Sequence, residues 1–240
     1  MYLSPRICIF LLLLLFGTNI IAAPVYDLMP IRVTVDSGEK TSSITIKNRG
    51  DETALLQVYA QKWSQLNGKD QYQKTQEVIV NPPAFNLAPG EQQVIRLGLR
   101  SDNAREQEQI YKLYIKEVKP RLAETNNQFG VKSGTRFILE MSVPVFFAPE
   151  NPLQIATVTT ERKGNQIQVR LSNEGNVHQR VKSLKFYVND ATDPVLMKEE
   201  ASYVFPHTER EWIFNIEKEK MPTRVIIETS QGQIEQKITS

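Results

Sequence analysis

The side chains that most often carry chemistry are scarce in this sequence. There are two histidines, His178 and His207, and a single cysteine, Cys8, which lies close to the start. Metal sites and nucleophilic catalysis draw heavily on these residue types. His178 follows "NEGNV" and His207 follows "VFP", so both read as turn residues with structural or solvated roles, and nothing nearby completes a ligand set. No G-x-S-x-G elbow, phosphate-binding glycine loop or H-E-x-x-H motif occurs. Paired acids, as in "KEE" at Lys198 to Glu200, read as solvated surface, so a hydrolase reading has no catalytic set behind it. The sequence predicts no catalytic residues, no metal and no cofactor. With 29 Lys and Arg against 27 Asp and Glu, it also has no global field with which to hold nucleic acid.

The start of the chain speaks to compartment. Arg6 is followed by the apolar run Ile7 to Phe16 and then by "GTNIIAA". A basic start, a short apolar core and an alanine-rich exit describe a secretory signal peptide. The run is about half the length needed to span a bilayer. The leader is expected over 1–22, with cleavage after Ala22 or Ala23. No later segment is long and apolar enough to insert into a membrane. Cys8 would leave with the leader, so the exported chain would carry no disulfide and depend on its hydrophobic cores alone.

The remainder reads as short strands separated by turn chemistry. "IRVTV" alternates and ends in "DSGEK"; "SSITIKN" stops at "NRGDE"; "ALLQVYAQKW" is closed by "LNGKD", with its Asn-Gly pair. "EVIVNPPAFNLAPGEQQVIRLGL" holds two strands about a double proline and a Pro-Gly turn, and "QIYKLYIKEV" follows. "APENP" at Ala148 to Pro152 suits a short, stiff connection, after which strands resume. No segment sustains a helical period. The pattern predicts an all-β protein of two tandem immunoglobulin-like sandwiches, 23–148 and 153–240 joined by 149–152. About seven strands are expected before the connection and six or seven after it. No internal repeat is visible.

One stretch, "TRFILEMSVPVFFAP" from Thr135 to Pro149, is unusual. Phe137, Leu139, Met141, Val143 and Val145 alternate and would share one face of a strand. Pro144 cannot donate to a sheet ladder, which argues for an edge strand or a strand end. An apolar edge invites pairing with another chain. On pattern alone, these side chains are either the core face of a last strand or a row offered to a partner.

Three stretches together resemble the periplasmic pilus-assembly chaperones of the chaperone–usher family. "IRVTVDSGEKTSSITIKN" is similar to the family's opening strands. "NPPAFNLAPGEQQVIRL" is similar to its Pro-Pro, Leu-x-Pro-Gly and Arg-Leu signature. "FILEMSVPVFFAPE" is similar to its donor strand running into the domain junction. The resemblance implies an L-shaped or boomerang arrangement of the two sandwiches, with a binding cleft between them. It implies a location in the periplasm of a Gram-negative bacterium. The implied activity is capping of pilus or fimbrial subunits by donor-strand complementation, a form of β-strand addition, before delivery to an outer-membrane usher. A free protein that caps its own edge by dimerising is compatible with it. The competing reading is a secreted structural or adhesive protein of two immunoglobulin-like domains.

Carried over residue by residue, the resemblance puts the donor side chains at Phe137, Leu139 and Met141, with Val143 at the margin. It makes Arg32, in "PIRVTV", the first of two cations that anchor the subunit's terminal carboxylate. Without the resemblance, Arg32 reads as a cation snorkelling from a strand edge. The family's usual second cation, a lysine on the donor strand, is replaced here by Pro144. The "SVPVFF" form is similar to archaic and alternative branches, whose second cation lies on the preceding strand. In "IYKLYIKE" that place belongs to Lys112, which would have to point into the cleft; Arg96 in "VIRL" is the fallback. Ala148 stands where better-known members have an arginine of an interdomain ion pair. "LSNEGNVHQRVKSL" is similar to the family's Asn-x-Gly-Asn-x-His turn and is read as support for the fold.

Overall fold

A computed structural model describes residues 26–101, 104–118, 138–217 and 221–239. The expected leader and Phe137 lie outside the described residues. Ten strands precede the "APENP" connection: β1 Tyr26–Met29, β2 Val33–Val35, β3 Thr41–Asn48, β4 Ala54–Leu66, β5 Lys69–Lys74, β6 Val78–Asn81, β7 Ala84–Leu87, β8 Gln92–Leu99, β9 Gln109–Val118 and β10 Glu140–Phe147. Seven follow it: β11 Ala156–Lys163, β12 Gln166–Asn173, β13 Gln179–Tyr187, β14 Leu196–Val204, β15 Glu209–Asn215, β16 Arg224–Thr229 and β17 Gln233–Lys237. No helix occurs among the described residues.

The first ten strands form two facing sheets. One has the order β1-β3-β8-β6; the other runs β2-β10-β9-β4-β5, with β7 also paired to β4. Alternation turns Ile44, Ile46, Leu56, Val58, Ile95, Leu97, Leu113 and Ile115 inward into one buried cluster. The later strands form sheets β11-β12-β15 and β14-β13-β16-β17 around a second cluster that includes Ile167, Val169, Leu171, Leu184, Phe186, Trp212 and Ile227. Each sandwich thus buries its own core. Among the described residues, no strand pairing crosses between the two sets.

The strand count before the connection exceeds the expected seven because β1 and β7 are only four residues long and β5 has no alternating face. Every residue of β5 is exposed, so no buried face marks it in the sequence. The β4–β5 hairpin turns at Asn67 and Gly68, whose φ angles are 52° and 72°. Those positive angles are what an Asn-Gly pair between two strands supplies most readily.

Candidate functional site

Strand β10 has two different halves. On one side it pairs antiparallel with β9 along its whole length, from Glu140↔Lys116 to Phe147↔Gln109. On the other side it pairs with β2, in parallel, only from Val145↔Val33 to Phe147↔Val35. Among the described residues, the edge from Glu140 to Pro144 has no strand beside it. The Glu117 N–H donates to the Leu139 carbonyl at 2.9 Å, and the Ala148 N–H donates to Val35 at 2.9 Å. Odd-numbered residues of β10 therefore turn their polar main chain to β9, and even-numbered residues turn theirs to the opposite edge. Pro144 is even-numbered, so its missing N–H costs the β9 ladder nothing.

The side chains grade along the same strand. Leu139 and Met141 are half-buried, while Val143, Val145 and Phe147 are fully buried in the first core. Val143 therefore helps close its own sandwich, and the apolar row opens towards Met141 and Leu139.

Two cations stand on the other face of this sheet. On β9, Tyr111, Leu113 and Ile115 are buried in the core, so Lys112 and Tyr114 project from the opposite face. Lys112 lies beside Pro144 in the register. Arg32 immediately precedes β2; by alternation with the buried Val33 it stands on this outer face, half-buried, on the far side of Pro144. The backbones carrying the two cations are two strand spacings apart, about 10 Å. Among the described residues, no carboxylate lies within ion-pair distance of either cation. Arg96 does not join them. It sits on β8 in the other sheet, between Ser43 and Asn81, exposed and facing away from the core.

The outer face runs into an aromatic junction between the sandwiches. Trp63, Ile110 and Phe146 of the first form one buried cluster with Phe205 of the second, and Tyr203 packs against it. The His178 ring stacks on Phe146 at 3.9 Å. One oxygen of Glu108 accepts both the His178 backbone N–H at 2.9 Å and its Nδ1 at 2.8 Å. Asn176 donates through Nδ2 to the carbonyls of Glu106 and Asn151 and accepts the Leu153 N–H at 2.6 Å. Gln65 donates to the Tyr203 carbonyl and accepts from Phe205 N and Thr208 Oγ1. His178 is thus a packed junction residue, whereas His207 is an exposed turn residue with φ 57°.

Two residues that the sequence reading did not single out hold this region. Arg105 is buried and donates to three main-chain carbonyls, those of Ala148 at 2.7 Å, Glu39 at 3.1 Å and Asp36 at 3.4 Å. It fastens the end of β10 to the β2–β3 turn, and so fixes where β2 begins to cover the edge. Glu108 is the other. Nothing in the sequence marks a lone acid as an acceptor for a residue seventy positions away. Within the first core, Tyr111 is buried, meets the Phe147 ring and donates to Glu77 at 2.7 Å. Burial, then this bond, pushes its phenol well above the usual range, and the same bond is the main cause holding the Glu77 carboxyl lower.

The family model for the pili and flagellar-assembly chaperone, PapD N-terminal domain, matches residues 26–153. The chain belongs to this chaperone family. Solved structures agree on the fold across both sandwiches. The chaperone–tip adhesion subunit pre-assembly complex from archaic chaperone–usher Csu pili of Acinetobacter baumannii matches with 22% identity and a TM-score of 0.64, covering 90% of this chain and 98% of that one. The E. coli chaperone DraB matches at 17% identity and TM-score 0.58, covering 90% and 100%. The Salmonella enterica SafA pilin–SafB chaperone complex matches at 16% and 0.58, covering 89% and 96%. No curated protein sequence matches this chaperone.

Proposed function

We propose that this chain is a periplasmic chaperone of pilus subunits, one that completes an unfinished subunit by adding its own β10 edge to it. The observation that carries the proposal is the edge from Glu140 to Pro144, unpaired among the described residues, which ends between two cations that have no acidic partner among those residues. A strand added there lies end to end with β2 against β10. Its end nearest the junction meets Arg32 on its own line and Lys112 across Pro144. A carboxylate fits that position, so the incoming strand runs with its C-terminus towards the junction, parallel to β10. Main-chain bonds to the even-numbered residues of β10 supply affinity, and Leu139, Met141 and Phe137 supply apolar contacts. Each well-buried contact contributes about 1.5–3 kcal/mol.

On this reading residues 1–22 are the export leader, 23–148 and 153–240 are the two domains, and 149–152 connects them. The captured subunit then passes to an outer-membrane usher. The proline in the donor strand and the cation at Lys112 support placement in the archaic or alternative branch. The reading is of a binding protein rather than an enzyme.

Periplasmic co-expression with a candidate subunit from a neighbouring gene tests it. A one-to-one complex is expected. Arg32→Ala and Lys112→Ala should each weaken capture about 10- to 100-fold, the worth of a charge-assisted hydrogen bond. If both variants capture subunit as the wild type does, the anchor assignment is wrong. Stable self-assembly beyond a dimer, with no subunit bound, would favour the adhesive reading.

A further inference from the structure

We propose that Trp63 and Tyr72 are positioning residues for the carboxylate anchor: they hold the Lys112 ammonium in place over their rings while leaving its charge free for an incoming carboxylate. The inference rests on the anchor reading above and adds to it how the second cation is prepared.

Lys112 differs from its neighbours on the same sheet. Lys62, on β4, is paired with Glu77 at 3.1 Å, and Lys116, on β9, lies 3.7 Å from Glu140. The Lys112 Nζ instead stands 4.9 Å from the centre of the Trp63 ring and 5.0 Å from that of Tyr72. The two rings are opposite residues of the β4–β5 ladder and are stacked 6.0 Å apart at 25°. Nζ also donates to the Tyr72 hydroxyl at 3.2 Å, and that hydroxyl reaches Asp70 at 3.5 Å. Burial and the nearby Asp70 raise the Tyr72 phenol above its usual range, so the group accepting from Lys112 is neutral.

The chemistry of such a seat is specific. An Asp or Glu in place of the rings would hold Lys112 equally well, but would compete with a carboxylate ligand for it. Ring faces attract the cation through their quadrupole and neutralise none of its charge. A lysine free in solvent would have to give up its rotamer freedom on binding; one already seated has less to lose. Trp63 is itself fixed from both sandwiches. It is 6% exposed, lies edge-to-face with Phe205 and with Tyr203, ring centres 4.7 Å and 5.5 Å away, and its buried indole N–H has no partner among the described residues. The floor of the seat therefore depends on the junction, and Tyr72, on the exposed edge strand β5, forms its open wall.

The test uses the full exported chain and a short peptide of alternating valine and threonine, made with a free C-terminal carboxylate and again as the C-terminal amide. Calorimetry gives the affinity ratio of the two forms. Tyr72→Ala should lower the preference for the carboxylate about fivefold, in keeping with the worth of a cation–ring contact, and Tyr72→Phe about twofold. Amide binding should not change. A Tyr72→Ala variant that keeps the full preference, while Lys112→Ala loses it, overturns the seat and leaves the anchor standing. Equal weakening of both peptides would make Tyr72 mere structural support and also overturns the proposal. If neither Arg32→Ala nor Lys112→Ala alters the ratio, the anchor reading fails and the seat with it. A ligand-free measurement stands beside these. In NMR of the lysine side chains, the Lys112 protons next to Nζ should be shifted upfield by the rings and return towards the ordinary position in Tyr72→Ala. An unshifted Lys112 in the wild type overturns the proposal whatever the peptides do.

Discussion

At Asn48 to Glu52, and again at Asn173 to Val177, a buried asparagine ends a strand and closes the loop that follows it. Asn48 donates through Nδ2 to the carbonyls of Glu52 and Leu87, and its Oδ1 accepts the Gly50 N–H. Asn173 donates to Val177 and Val204 and accepts from Gly175. Four residues on, and at the end of a further strand, the same two kinds of carbonyl are engaged, once in each sandwich. The loops diverge at the residues three and five positions after the asparagine. In the first sandwich these are Asp51 and Thr53, both exposed. In the second they are Asn176 and His178, which reach the connection and the first sandwich. The difference shows how a junction is made from a loop whose own closure is unchanged: two side chains are added to it, and fold and junction become separable.

That separation can be broken at several points. Gly175→Ala should have the largest effect, because a Cβ there would sit 2.2 Å from the Leu153 carbonyl oxygen and 2.8 Å from the Ile155 nitrogen. Both are main-chain atoms and must shift, at a cost of about 3 kcal/mol or more in urea unfolding; a loss below about 1 kcal/mol would contradict the close approach. Next come Asn48→Ala and Asn173→Ala. Each removes one side chain that serves three main-chain groups, all buried at Asn173 and one fully buried at Asn48, so each should cost about 2–4 kcal/mol, Asn48 towards the lower end. A large inequality between them would argue against a shared device. Smallest is Asn176→Ala, at about 1–2 kcal/mol, with the two sandwiches melting further apart in calorimetry; Asp51→Ala should stay within about 0.5 kcal/mol.

The sequence carried more of the fold than of the junction. Strand β9 was legible over its whole length because Tyr111, Leu113 and Ile115 alternate against Lys112 and Lys116. Pro144 marked the place where β10 loses one neighbour: it is in register with Lys112 on β9, but its nitrogen faces the side that β2 has not yet covered, where no ladder bond is lost. Strand β14 was hidden: its "MKEE" reads as a charge run because most of that stretch is exposed on a strand that pairs on one side alone. The repeat between the two asparagine loops escaped notice because Asn-x-Gly is all they share in letters, while their likeness lies in hydrogen bonds to distant carbonyls. For the same reason Arg105 and Glu108 gave no signal. Arg32 and Lys112 were singled out only through family likeness; that they share a face across Pro144 is a matter of register, which pattern alone does not fix.

The proline also bears on what kind of strand end the edge can receive. An internal residue of a continuing chain, placed opposite Pro144, would bring a carbonyl that finds no main-chain N–H and would then run into the start of β2. A chain that stops there brings a carboxylate instead, and the two neighbouring side chains carry positive charge. On the proposed reading, the strand withdraws its donor at the position where the cations begin, and would so discriminate between the end of a polypeptide and its middle without reading a single side chain.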